Sequence, residues 1–191
     1  WDMIVEEMEN ILCFIETVFQ SKIKPMCIYS GSFRPMHEGH RYIRTYDDKY
    51  AVLEIPFKAF GKDQNMNVDS SVGCRYFRLN KTKIIDKLEL IETLSDDRFD
   101  FDDKMHSEFH IYRMGSDTLN RISDEEFETL NSFKHWKFQI FDREATTEDL
   151  LDLVESKLVK LERYEYISMP KELRDISSTK IRESQNKQNE Q

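Results

Sequence analysis

One stretch constrains this chain more than any other: Tyr29-Ser-Gly-Ser-Phe-Arg-Pro-Met-His-Glu-Gly-His40. It follows a short apolar run over residues 26–29, which reads as a buried strand. Ser30-Gly31-Ser32 is a small-residue turn where backbone can come close to a ligand. Pro35 stiffens the loop by fixing φ. His37 and His40 stand three apart with Gly39 between them. At a helix start that spacing puts both imidazoles on one face, beside first-turn N–H groups that attract phosphate.

The rest of the chain alternates in the same way. Residues 50–55 read as a second strand ended by Pro56. Strand, helix and strand in such quick succession mark a right-handed parallel crossover. Further strands are expected over residues 109–114, 136–141 and 164–169, and helices over 81–94 and 118–130. Another helix opens at Thr146-Thr147-Glu148 and carries the stripe Leu150, Leu151, Val154, Leu158 and Leu161. Residues 63–80 are polar and irregular, 96–104 form an acidic surface loop, and 184–191 a polar, fraying tail. Ahead of the first strand, Ile4, Met8, Ile11, Leu12, Ile15, Val18 and Phe19 have the spacing of an amphipathic helix. The expected fold is therefore α/β, a doubly wound, mostly parallel sheet with an extra N-terminal helix. The expected division is a helical extension (1–22), one domain (23–183) and the tail (184–191).

Composition excludes several alternatives. A net charge of −9 argues against a general nucleic-acid or anionic-membrane surface. With 39% hydrophobic residues the chain is globular rather than disordered. No run of 18 apolar residues and no basic-then-apolar leader is present, so the expected compartment is the cytoplasm. Cys13, Cys27 and Cys74 are odd in number and scattered, which fits reduced thiols and neither a disulfide framework nor a zinc site. His106, His110 and His135 carry no motif and read as structural.

GSFRPMHEGH resembles the G-S-F-x-P-x-H-x-G-H signature of the nucleotidylyltransferase superfamily. Ile176-Ser-Ser-Thr-Lys-Ile-Arg182 resembles that superfamily's second signature, I-S-S-T-x-I-R. Between them, Met114-Gly-Ser-Asp-Thr-Leu119 resembles the G-x-D-x-L segment of its nicotinamide or nicotinate mononucleotide adenylyltransferases. The three segments come in family order and bracket residues 26–183.

The resemblance implies a Rossmann-like fold and transfer of AMP from ATP, with Mg²⁺, to a phosphate-bearing acceptor, releasing pyrophosphate. A nicotinamide or nicotinate mononucleotide acceptor would place the protein in NAD biosynthesis. It implies that His40 donates to phosphoryl oxygens in the transition state, that His37 helps to place the phosphates, and that Arg182 completes the catalytic set. Ser177, Ser178 and Thr179 would serve the β- and γ-phosphates; Gly31, Ser32, Phe33, Gly115 and Asp117 would lie against the nucleotide. Arg34, Lys58, Lys62, Trp136 and Arg143 are candidate phosphate or acceptor contacts. Arg34 stands where the family commonly has Asp or Asn, so the acceptor stays open. The alternatives are a pantetheine-phosphate adenylyltransferase, a cytidylyltransferase-like enzyme, and a nucleotide-binding regulatory module that turns over poorly. Neither nucleic acid nor membrane is an expected partner, and a homo-oligomer stays open.

Overall fold

The structure is a computed structural model that describes residues 8, 12, 16, 27–31, 37–47, 52–56, 74–75, 84–95, 109–143, 148–174, 176 and 178–189. Among the described residues six strands form one sheet: β1 (Cys27–Gly31), β2 (Val52–Pro56), β3 (Cys74–Arg75), β4 (His110–Gly115), β5 (Trp136–Phe141) and β6 (Tyr164–Ile167). Their order across the sheet is β3-β2-β1-β4-β5-β6, and every neighbouring pair is parallel. The chain thus starts in the middle, builds out to one edge, returns to the middle and builds out to the other. The α/β expectation holds.

The helices are α1 (Glu38–Thr45), α2 (Ile84–Ser95), α3 (Ser116–Asn120), α4 (Glu126–Ser132), α5 (Glu148–Leu158), α6 (Lys171–Arg174) and α7 (Ser178–Asn189). Alternation along the strands sends successive side chains to opposite faces. Ile28, Tyr112, Met114, Phe138 and Ile140 meet Ile84 and Leu88 of α2, Leu119 of α3, Phe127 and Leu130 of α4, and Val154 and Leu158 of α5. Tyr29, Phe141 and Ile167 point the other way, to Ile43 of α1, Met169 and the half-buried Leu173 of α6. Each large side chain so buried contributes about 1.5–3 kcal/mol. β4 and β5 are buried along almost their whole length, as strands of a sheet covered on both faces must be.

Four local expectations change. Residues 63–80 hold a two-residue strand, β3, too short to leave a periodic pattern. The expected helix over 118–130 is two helices, broken at the turn around Ser123. The polar tail is helical to Asn189, so the expected boundary at 183 falls inside α7. Glu, Gln and Lys are good helix formers, and their polarity sets exposure rather than conformation. Met8, Leu12 and Glu16 have helical backbone, but Met8 and Leu12 are exposed rather than packed; the rest of the expected N-terminal helix lies outside the described residues. No described helix is long and apolar enough to cross a membrane.

Candidate functional site

The strand order reverses between β1 and β4. In open parallel sheets, ligands bind in the crevice off the carboxyl ends of the strands at such a reversal. β1 ends there at Gly31 and β4 at Gly115. His37 opens α1 at the same end.

His37 and His40 cap α1 reciprocally. His37 is the N-cap residue, with extended backbone. Its Nδ1 accepts from the backbone N–H of His40 at 3.3 Å, and the Nδ1 of His40 accepts from the N–H of His37 at 3.3 Å. The rings lie face to face, centroids 3.6 Å apart and 18° from parallel. A nitrogen that accepts carries no proton, so this pattern assigns each neutral ring's proton to Nε2. Both imidazoles are thereby set as Nε2–H donors. Burial, then the charges of Arg143 and Arg41, push the His37 pKa down to about 4, so the ring is neutral near pH 7.

Capping alone does not account for this arrangement. An N-cap is worth about 1 kcal/mol. His37 is 5% exposed and its Nε2 has no partner among the described residues. Leaving one buried donor unpaired costs about 1–3 kcal/mol. Three more buried atoms at the carboxyl end of the sheet are unpartnered among the described residues: Asp117 Oδ1, Asp142 Oδ1 and Arg143 Nε. Two donors and two acceptors thus await partners at the end where the order reverses. A ligand bound at this end could meet all four, although buried atoms elsewhere, such as Trp136 Nε1 and Arg113 Nη2, are unpartnered among the described residues too.

Arg143 links two of the segments singled out in the sequence, and its charge reaches His37 in the other. Its side chain runs past Gly115, where an added Cβ would meet Arg143 Cδ at 3.1 Å and would collide with Asp117 Oδ1. Its Nη2 donates to the Ile176 carbonyl at 2.8 Å, immediately ahead of residues 177–179. Its main chain is clamped by the buried Ser116: the hydroxyl donates to the Arg143 carbonyl at 2.6 Å and accepts from its N–H at 2.8 Å. α6 also reaches α1, the Leu173 carbonyl lying 3.4 Å from where a Cβ on Gly39 would stand.

The structure therefore brings together His37, His40, Gly31, Gly115, Asp117, Arg143 and the backbone leading into α7. Trp136 is not among them. It begins β5 at the opposite end of the sheet, 1% exposed, with its ring centroid 5.1 Å from that of His110. Its place in an apolar core cluster excludes it from the loop end as a contact. Ser32, Phe33, Arg34, Lys58, Lys62 and Ser177 lie outside the described residues, and Ser178, Thr179 and Arg182 are described by backbone alone. Sequence reasoning missed the Ser116 clamp and the buried Asp142, which pairs with Arg174 at 3.3 Å. Neither sits in a spacing that marks it.

Among the described residues no three His, Cys, Asp or Glu side chains are grouped to hold a metal ion. Mg²⁺ that arrives on a triphosphate asks for at most one or two carboxylates, its other ligands being phosphate oxygens and water. The Asp117 carboxylate, with a buried unpartnered oxygen, fits that modest demand. A scan against protein-family models and a search of curated proteins each returned no match.

Proposed function

We propose that the chain is a nucleotidylyltransferase of Rossmann-like fold that transfers AMP from the magnesium complex of ATP to a phosphate-bearing acceptor. The observation that carries the reading is the stacked, reciprocally capped His37–His40 pair, held as two Nε2–H donors where the strand order reverses. The G-x-D-x-L resemblance favours nicotinamide or nicotinate mononucleotide as acceptor.

In this reaction an acceptor phosphate oxygen attacks the α-phosphorus. A new P–O bond forms as the bond to the β-phosphate breaks, and pyrophosphate leaves with the electron pair. No covalent enzyme intermediate is needed, so positioning and charge stabilisation are what the protein supplies. His40 and His37 donate through Nε2–H to α-phosphate oxygens as charge grows there. Arg143 holds the Ile176 carbonyl just ahead of α7; by the resemblance, Ser178, Thr179 and Arg182 would serve the β- and γ-phosphates. Asp117 accepts from a ribose hydroxyl or an amino group. Bound Mg²⁺ would neutralise triphosphate charge.

The test incubates the full chain with Mg²⁺, ATP or CTP, and a panel of phosphate-bearing acceptors, and measures pyrophosphate. Release with ATP and one acceptor, abolished by His40→Ala in a folded protein, supports the reading. Absence of release with every acceptor, or unchanged release by His40→Ala, overturns it.

A further inference from the structure

We propose that Arg113 is a positioning residue: from the centre of the sheet it grips the far end of α1 and so sets where His37 and His40 stand. The inference rests on reading those imidazoles as phosphate donors.

Arg113 lies in β4 and is 0% exposed. Its Nη1 donates to two carbonyls in the last turn of α1, Ile43 at 2.8 Å and Arg44 at 3.1 Å. Its Nε donates to Gln139 Oε1 at 2.9 Å, and Gln139 Nε2 donates to Glu165 Oε2 at 3.3 Å. The guanidinium carbon stands 5.9 Å from the centroid of the Tyr46 ring, just past α1. Among the described residues no carboxylate lies within ion-pair distance of Arg113. A buried charge without a paired opposite charge is a poor source of stability, and an apolar side chain of similar volume commonly serves as well or better. What the guanidinium adds is direction. Its Nη1 reaches two carbonyls left over at the negative end of the helix, which an apolar residue cannot do, while Nη2 has no partner among the described residues.

α1 depends on such a grip. Of its eight residues only Gly39 and Ile43 are buried. Ile43 and the half-buried Tyr42 are the apolar side chains this two-turn helix packs on the cluster beneath it, so its tilt depends on what holds its last turn. At 1.5 Å per residue His37 lies about 10 Å, and His40 about 5 Å, toward the other end of the helix. A small rotation at the last turn is therefore carried to the rings, and misplacing a reacting group by about 1 Å can cost about a hundredfold in rate.

The experiment compares the full chain with Arg113→Met, Arg113→Lys and a control, Phe138→Leu, which perturbs the core on the other face of the sheet. It measures kcat and KM for pyrophosphate release, and the ¹⁵N imidazole chemical shifts of His37 and His40. Arg113→Met is expected to lower kcat about 30-fold or more, with KM for ATP changed less than about threefold. Arg113→Lys should restore part of kcat, and Phe138→Leu should leave kcat within about twofold while still lowering thermal stability. The Nδ1 shifts should move in Arg113→Met alone. A folded Arg113→Met with unchanged kcat and unchanged shifts overturns the proposal. Should that variant not fold, Gln139→Leu, which removes the acceptor of Arg113 Nε, is expected to lower kcat and move the Nδ1 shifts in the same direction, and unchanged values there overturn it equally. If the unaltered chain releases no pyrophosphate with any acceptor, the functional reading has failed; the imidazole shifts then decide the role of Arg113 by themselves.

Discussion

Gly39 lies against the ring of His37 so closely that a Cβ added to it would stand 3.0 Å from His37 Cε1 and 3.1 Å from Nδ1. Helix propensity would favour alanine there by about 1 kcal/mol. The ring has little room to step aside, because it is stacked on His40. Gly39→Ala is therefore expected to change the melting temperature by only a few degrees. It should lower pyrophosphate release by about tenfold or more, because it displaces a donor. Parallel melting curves and rates check this; an unchanged rate would mean that the ring's placement is not used.

The buried His37 makes stability depend on pH. Its folded pKa of about 4 lies below the ordinary 6.5. Between those values the unfolded chain binds a proton that the folded chain refuses. Stability from this residue is thus fully present above pH 6.5, declines as pH falls toward 4, and is level below that. His37→Asn keeps an N-cap acceptor without titrating in this window. Its stability should fall less steeply with acid than that of the unaltered chain, by up to about 1.4 kcal/mol per pH unit. Urea midpoints at pH 4.5, 5.5, 6.5 and 7.5 measure the difference.

Arg143 acts on two neighbours at once. Arg143→Ala removes the second cause of the depressed His37 pKa, so that pKa should rise, though not to 6.5, because burial is the larger cause. The same change frees the Ile176 carbonyl. Loss of a hydrogen bond from a charged donor is worth about 1.5–3 kcal/mol. KM for ATP should accordingly rise by about tenfold or more. Arg143→Lys, which keeps the charge but not the fork, should hold the pKa low and still raise KM. Proton NMR titration and initial-rate kinetics read the two effects separately.

Cys27, the start of the central strand, should be chemically silent. Burial pushes its thiol pKa up to about 12, against a smaller downward pull from Arg113. Only the thiolate attacks alkylating reagents. Iodoacetamide at pH 8 should label Cys27 on the order of a hundredfold more slowly in the folded chain than in urea. Peptide mass spectrometry distinguishes it from Cys13 and Cys74.

Short stretches rich in aromatic and β-branched residues made the central strands legible: residues 136–141 read as a strand and form one over the same bounds. The pairing of His37 with His40 was legible from spacing, but its physical form was not. Spacing suggests two residues on one helical face, whereas His37 stands outside the helix and each ring answers the other's backbone. Arg113 was illegible for a related reason. In an alternating run a single charged residue reads as the solvent side, and nothing local reveals that α1 will cover it. Trp136 shows the converse, since an aromatic at one end of a strand has the same local pattern as one at the other. What one strand and its turn decide can be read from the sequence. What depends on which element lands on top cannot.

The parallel order β3-β2-β1-β4-β5-β6 also sets a schedule for the chain as it is made. β1 can pair with β2 soon after both emerge, but Cys27 must wait for Ile111, roughly eighty residues later. At ribosomal speeds of 5–20 residues per second, that interval lasts about 4–17 s. Until it ends, one side of this central strand is bare backbone, open to any passing strand. The innermost seam of the finished sheet is thus the nascent protein's most vulnerable edge.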